Sequence, residues 1–171
     1  MKVFVLSILM ACSLTACARN TPTEAQVDAQ YNKLLVEYGN AGLYKASTKS
    51  VCHEAIYVKK AEHISSICYK NLDDVPDELL NQASLPYLKK HVEPASLDKL
   101  IQFYSQDKVK KIAPRIITDP YSATEEESKT YTAILYTAAG EQFEKYLDDN
   151  ENTLKLNDIS LKYLQEHETV K

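Results

Sequence analysis

Apolar residues recur along this chain at three- and four-residue spacing, not in the alternation of half-buried strands. Val27, Tyr31, Leu34, Leu35 and Tyr38 form the first such stripe. Thr21-Pro22-Thr23-Glu24 precedes it, placing Thr21 at a helix N-cap, Pro22 at N1 and Glu24 at N3 of a capping box. Gly39 and Gly42 are expected to end this helix. Leu43 to Leu72 reads as a second helical region broken near His63 to Ser66. The crowded, partly β-branched run from Val51 to Val58 leaves a strand as the alternative there. Asp73 to Pro76 is a loop, Asp77 opens a short helix through Leu79, Leu80 and Ala83, and Ser84-Leu85-Pro86 opens another turn ending near His91.

Pro94 starts the most regular stretch, with Leu97, Leu100, Ile101 and Tyr104 on one face and Ile112 two turns further on. Lys108, Lys110 and Lys111 suit its C-terminal end, and Pro114 is expected to stop it. Thr124 to Glu127 is a second capping box. Tyr131, Ile134, Leu135, Ala138, Gln142, Phe143 and Tyr146 then predict one long helix to about Asp148. A last helix carries Leu156, Ile159, Tyr163 and Leu164. The expected fold is all-α, a bundle of five to seven helices in one domain over residues 22–168.

Composition supports that reading. Only three glycines occur, tryptophan is absent, and apolar content and charge lie in the globular range. Twelve tyrosines stand out.

The first 16 residues follow another pattern. Lys2 precedes the apolar run Val3 to Ala11, which is too short to span a bilayer and reads as a removable leader. Leu14-Thr15-Ala16-Cys17 resembles the lipobox of bacterial lipoproteins. That resemblance implies a signal peptide over residues 1–16, cleavage before Cys17, a diacylglyceryl group on its thiol and a fatty acid such as palmitate on its amine. Several acyl chains anchor stably, at about 0.8 kcal/mol per buried methylene. Residues 17–21 become the lipidated cysteine and a short tether. Ala18 after the cysteine implies transport to the outer membrane, facing the periplasm, since Asp there tends to retain such proteins at the inner membrane.

Loss of Lys2 takes the formal net charge from −4 to −5, which argues against a nucleic-acid partner. Beyond Cys17 the mature chain keeps two cysteines, Cys52 and Cys68, and an even pair in an oxidising compartment is expected to bond. Along one straight helix they would stand about 24 Å apart, so the bond requires the chain to reverse between them.

Leu100 to Val109 aligns with Thr132 to Glu141, each with an apolar-Tyr-hydroxyl triple at its centre. Two similar helical units are one reading, and coincidence between amphipathic helices is the other. Both stretches resemble an exported all-helical family, domain-of-unknown-function family twenty fifty-nine, whose element is Phe-Tyr-x-Ser/Thr-x-x-Gly with a later Pro. Phe103-Tyr104-Ser105 with Pro114 matches the aromatic and proline parts but has Lys108 for the Gly. Tyr136-Thr137-Ala138-Ala139-Gly140 keeps the Gly but has Leu135 for Phe and no Pro. The resemblance implies a helical fold and export, and carries no catalytic residue.

Chemistry is sparse in the sequence. Cys52, His53, His63 and Cys68 are metal-ligand types, but adjacent Cys52-His53 face apart on a helix and oxidised cysteines are not thiolate ligands, so no metal site is assigned. There is no phosphate loop or nucleophile elbow, and His91 and His167 read as solvated. The expectation is no enzyme, no catalytic residue and no cofactor. Tyr31, Tyr104, Tyr131 and Tyr163 fall on core stripes, and Tyr136 is expected to be buried like Tyr104. Tyr57, Tyr87 and Tyr121 fall off the stripes and are the candidate binding residues, tyrosine being a frequent interface anchor. Two functions fit: a lipid-anchored envelope module binding a protein partner, or an immunity-type lipoprotein that neutralises a delivered toxin.

Overall fold

The computed structural model describes residues 22–58 and 66–167, apart from the side chains of residues 55–58, 114, 117, 118 and 120. Cys17, the leader and His63 lie outside the described residues. The described chain is all-α, with eight α-helices and no strand. They are α1 Glu24–Tyr38, α2 Asn40–Val58, α3 Asp77–His91, α4 Pro94–Tyr104, α5 Asp107–Thr118, α6 Glu125–Thr132, α7 Ala138–Leu147 and α8 Asn150–His167. Short 3-10 turns cover Ser66–Tyr69, Leu72–Asp74 and Pro120–Ser122. Residues 51–58 are helical, so the strand alternative does not hold.

Each boundary that moved from its expected place did so for a local reason. The cap of α1 is Thr23, not Thr21, and its box closes on Gln26, whose amide oxygen accepts from the Thr23 N–H at 2.8 Å. Gly39 ends α1 in the left-handed conformation, φ +76°, where glycine carries no β-carbon penalty. Gly42 ends nothing and lies in the first turn of α2. The two short segments expected over residues 77–91 are one helix with exposed Pro86 inside it. Proline removes one backbone bond there, and the buried stripe Leu80, Ser84 and Leu88 holds the helix together.

The two long helices expected after Pro94 are each broken in two. Continuing the Leu97–Leu100–Tyr104 stripe straight on would bring Lys108 to the core. Extended backbone at Gln106 changes the register, so Val109 is buried where Lys108 would have been, and Ile112 is buried as expected. Likewise Thr137, extended at ψ 153°, starts α7 afresh, burying Ala139 in place of the expected Ala138 and Gln142, while Phe143 and Tyr146 are buried as expected. The two aligned stretches of the internal repeat coincide with these breaks. Their tyrosines differ: Tyr104 is 1% exposed and Tyr136 is 86% exposed. The expectation of a buried Tyr136 is therefore corrected, because the break before Thr137 takes it off the packed face.

The core forms around α3, which packs on α1, α2, α7 and α8. On one side Tyr38 meets Tyr104 and Phe143 edge to face, with ring centroids 5.1 and 4.9 Å apart; such pairs add about 1 kcal/mol each beyond their burial. On the other, Leu72, Val75, Leu80, Leu156 and Leu164 form a second apolar cluster. There Cys52 and Cys68 are bonded, with Cα atoms 5.1 Å apart, joining α2 to the turn at Ser66–Tyr69 as the cysteine spacing requires.

Candidate functional site

The turn from α1 to α2 is a single residue, Gly39, so α2 leaves at once with Asn40. The first backbone bond of α2 runs from the Leu43 N–H to the Gly39 carbonyl at 3.0 Å. The Asn40, Ala41 and Gly42 amides are thus the opening donors of the helix, which have no acceptor within it. The start of α3 is brought against this corner by Lys45. Its Nζ donates at 2.6 Å both to the Val75 carbonyl and to Asp77 Oδ1. With 12% of its side chain exposed, Lys45 acts as a clamp between α2 and α3.

Beneath the corner the two helices are joined by buried amides. Asn40 Nδ2 donates to Asn81 Oδ1 at 3.2 Å and to Ser84 Oγ at 3.1 Å. The Tyr146 hydroxyl donates to Asn40 Oδ1 at 2.7 Å. Both Asn40 donors and its oxygen are therefore used, as burial of a primary amide demands. Above this floor the helices leave a cleft of about 450 Å³, in the size range of ligand sites. Asn32 and Val36 of α1 form one side, Gly39 to Gly42 the corner, and Asp77, Glu78, Asn81 and Gln82 the other side. Its ionisable side chains, Asp77 and Glu78, are both acidic, and Glu78 accepts from Gln82 Nε2 at 3.1 Å.

A second cleft of about 280 Å³ lies on the other side of Asn40, lined by Tyr44, Ser47, Thr48 and Asn152 among others. The Asn152 Oδ1 atom is buried without a partner among the described residues. The Tyr44 hydroxyl donates to Asn157 Oδ1 at 2.8 Å and is held in the core, although its position near a helix end marks it in the sequence as peripheral.

Of the residues singled out from sequence, Tyr121 is 99% exposed, on the Pro120–Ser122 turn. Tyr87 is half-buried on the core side of α3. The Tyr57 side chain lies outside the described set. Neither Tyr87 nor Tyr121 lines the α1–α2 cleft, and no described contact joins them. Tyr31, Tyr104 and Tyr131 are buried as expected, whereas Tyr163 is half-buried and stacks on His167 at 4.0 Å. Burial, then neighbouring phenols, push the Tyr38 and Tyr104 hydroxyls far above their ordinary pKa, so they are neutral packing groups and not bases. His91 is half-buried and bonded to Asp149 Oδ2 at 2.7 Å, in contrast to the solvated reading.

Among the described residues no three His, Cys, Asp or Glu side chains gather around a common point, and no helix is long and apolar enough to cross a membrane. No family model, curated protein or solved structure matches the chain.

Asn40 and Asn81 went unmarked in the sequence, and Gly42 was marked only as a helix end. Asn40 carried one usable signal: an Asn directly after a helix-ending Gly, at the start of another helix.

Proposed function

We propose that this protein is a lipid-anchored, non-catalytic binding module of the bacterial envelope, held through Cys17 and offering the α1–α2 cleft to a protein partner. The anchor rests on the leader and on the lipobox at Leu14 to Cys17. One observation carries the binding site. Asn81 is 9% exposed and has its oxygen engaged by Asn40, while its Nδ2 has no partner among the described residues beside an open cleft. That Nδ2 is open to the cleft, where an acceptor from a partner can take the place of water.

The tether and α1 support a working position close to the membrane surface. Along α1 the cleft runs from Asn32, about 12 Å from Glu24, to the Gly39 corner, about 22 Å from it. An anchor limits the domain to the bilayer surface and raises its effective concentration against partners in the same plane. Ala18 favours the outer membrane, facing the periplasm.

The second reading, an immunity-type lipoprotein neutralising a delivered toxin, draws on the acidic side of the cleft formed by Asp77 and Glu78. A toxin with a basic loop would complement it. Replacing Cys17 with Ser tests the anchor: the variant is expected to leave the membrane fraction and to change mobility. Continued flotation with membranes at unchanged mobility would reject it.

A further inference from the structure

Gly42 sits in the first turn of α2, and nothing among the described residues requires a glycine there. Gly39 is the positive-φ glycine among the described residues, so the Gly42 backbone suits any residue. A β-carbon built on Gly42 would meet nothing within 4 Å. Glycine in a helix is less favourable than alanine, yet here it leaves an open patch of backbone on the cleft wall. That bare backbone leaves room for close approach by a ligand.

We propose that the occupant of the cleft is an extended polypeptide segment of the partner carrying a lysine or arginine. This deepens the binding-module reading and rests on it. A polypeptide presents carbonyl oxygens along one edge and N–H groups along the other. The α2 side of the cleft offers donors in the opening amides at Ala41 and Gly42, and Asn81, whose oxygen is engaged by Asn40, keeps its Nδ2 open to the cleft. The α3 side offers acceptors in the exposed carboxylates of Asp77 and Glu78. Lys45 is already committed to Asp77 and Val75, and among the described residues Glu78 meets only the neutral Gln82, so a cationic side chain is the complement the cleft lacks. No aromatic ring of the described residues lines it. An oligosaccharide, which shares the hydroxyl chemistry, would miss the stacking platform that sugar rings use.

The test uses the full-length lipidated chain in detergent micelles and four probes. Three are fluorescent Gly-Ser nonapeptides with Leu-Lys-Leu, Leu-Gln-Leu or Leu-Glu-Leu at the centre, read by anisotropy; the fourth is unlabelled chitotriose as competitor. The Lys peptide is expected to bind best and the Glu peptide worst, with no competition from the sugar. Gly42→Ala is expected to weaken the Lys peptide about tenfold with the melting temperature unchanged or raised, which separates lost contact from lost fold. Glu78→Gln is expected to erase the preference for Lys over Gln while leaving the Gln peptide unaffected. A Glu-peptide preference, displacement by chitotriose, full affinity in Gly42→Ala, or no binding of any peptide at about 1 mM overturns the proposal. The binding-module reading fails separately, if a crosslinker in the cleft captures no partner in cells.

Discussion

The Tyr146 hydroxyl donates to Asn40 Oδ1 at 2.7 Å across 106 residues of sequence, tying α7 to the corner that forms the cleft. Burial raises the phenol to a pKa of about 12, so it is a donor at any physiological pH. Tyr146→Phe keeps the packing and leaves a buried amide oxygen without its donor, which costs about 1–3 kcal/mol. Denaturant unfolding is expected to show that loss with an unchanged slope. A loss under about 0.5 kcal/mol would mean the bond is not made in solution.

That bond was beyond the reach of the sequence, and the reason is general. Periodicity shows which face of a helix is buried but not which buried polar atoms meet. Helix type, both capping-box regions and the Cys52–Cys68 pair were legible because each depends on residues close together or on one covalent rule. The breaks at Gln106 and Thr137 were not, since neither has a glycine or proline to mark it. What decides them is which of two stripes, one residue apart, finds partners in the tertiary core. Tyr136 was misplaced with the second break. Pro86 misled in the opposite sense, because packing along Leu80, Ser84 and Leu88 outweighs one missing backbone bond.

Gly140 and Gly42 make opposite predictions for the same substitution. A β-carbon on Gly140 would overlap the Ile134 carbonyl and stand 2.8 Å from Leu135 Cα, so Gly140→Ala is expected to destabilise by about 2–3 kcal/mol. Gly42→Ala is expected to stabilise by up to about 1 kcal/mol. Thermal melts of the two variants side by side check the contrast.

Asp149 predicts a feature of the acid limb. Its carboxyl is held down to about 2, chiefly by the His91 hydrogen bond and then by Lys90, and its other oxygen accepts from the Glu151 N–H at 3.0 Å at the start of α8. A carboxyl lowered on folding adds stability above its unfolded pKa, near 3.8, and that stability fades as pH falls toward 2. Asp149→Asn is expected to lower stability at neutral pH and to flatten the pH dependence between about 4 and 2. An unchanged acid limb would show that the contact does not persist.

The disulfide closes a loop over a sequence separation of 16. Its removal by paired Cys52→Ala and Cys68→Ala is expected to cost about 3 kcal/mol. Mass analysis of the native chain without reductant should find neither residue alkylated, and two free thiols would contradict the bond.

The central claim is that the α1–α2 cleft is the working surface. Val36, 64% exposed at the cleft edge, and Tyr121, 99% exposed on its own turn, offer a direct comparison. A photo-crosslinking amino acid at either position in the full-length chain, activated in living cells, reads which surface a partner touches. The account predicts a discrete adduct from Val36 that Gly42→Ala diminishes, and none from Tyr121. A discrete adduct from Tyr121 with none from Val36 would contradict it.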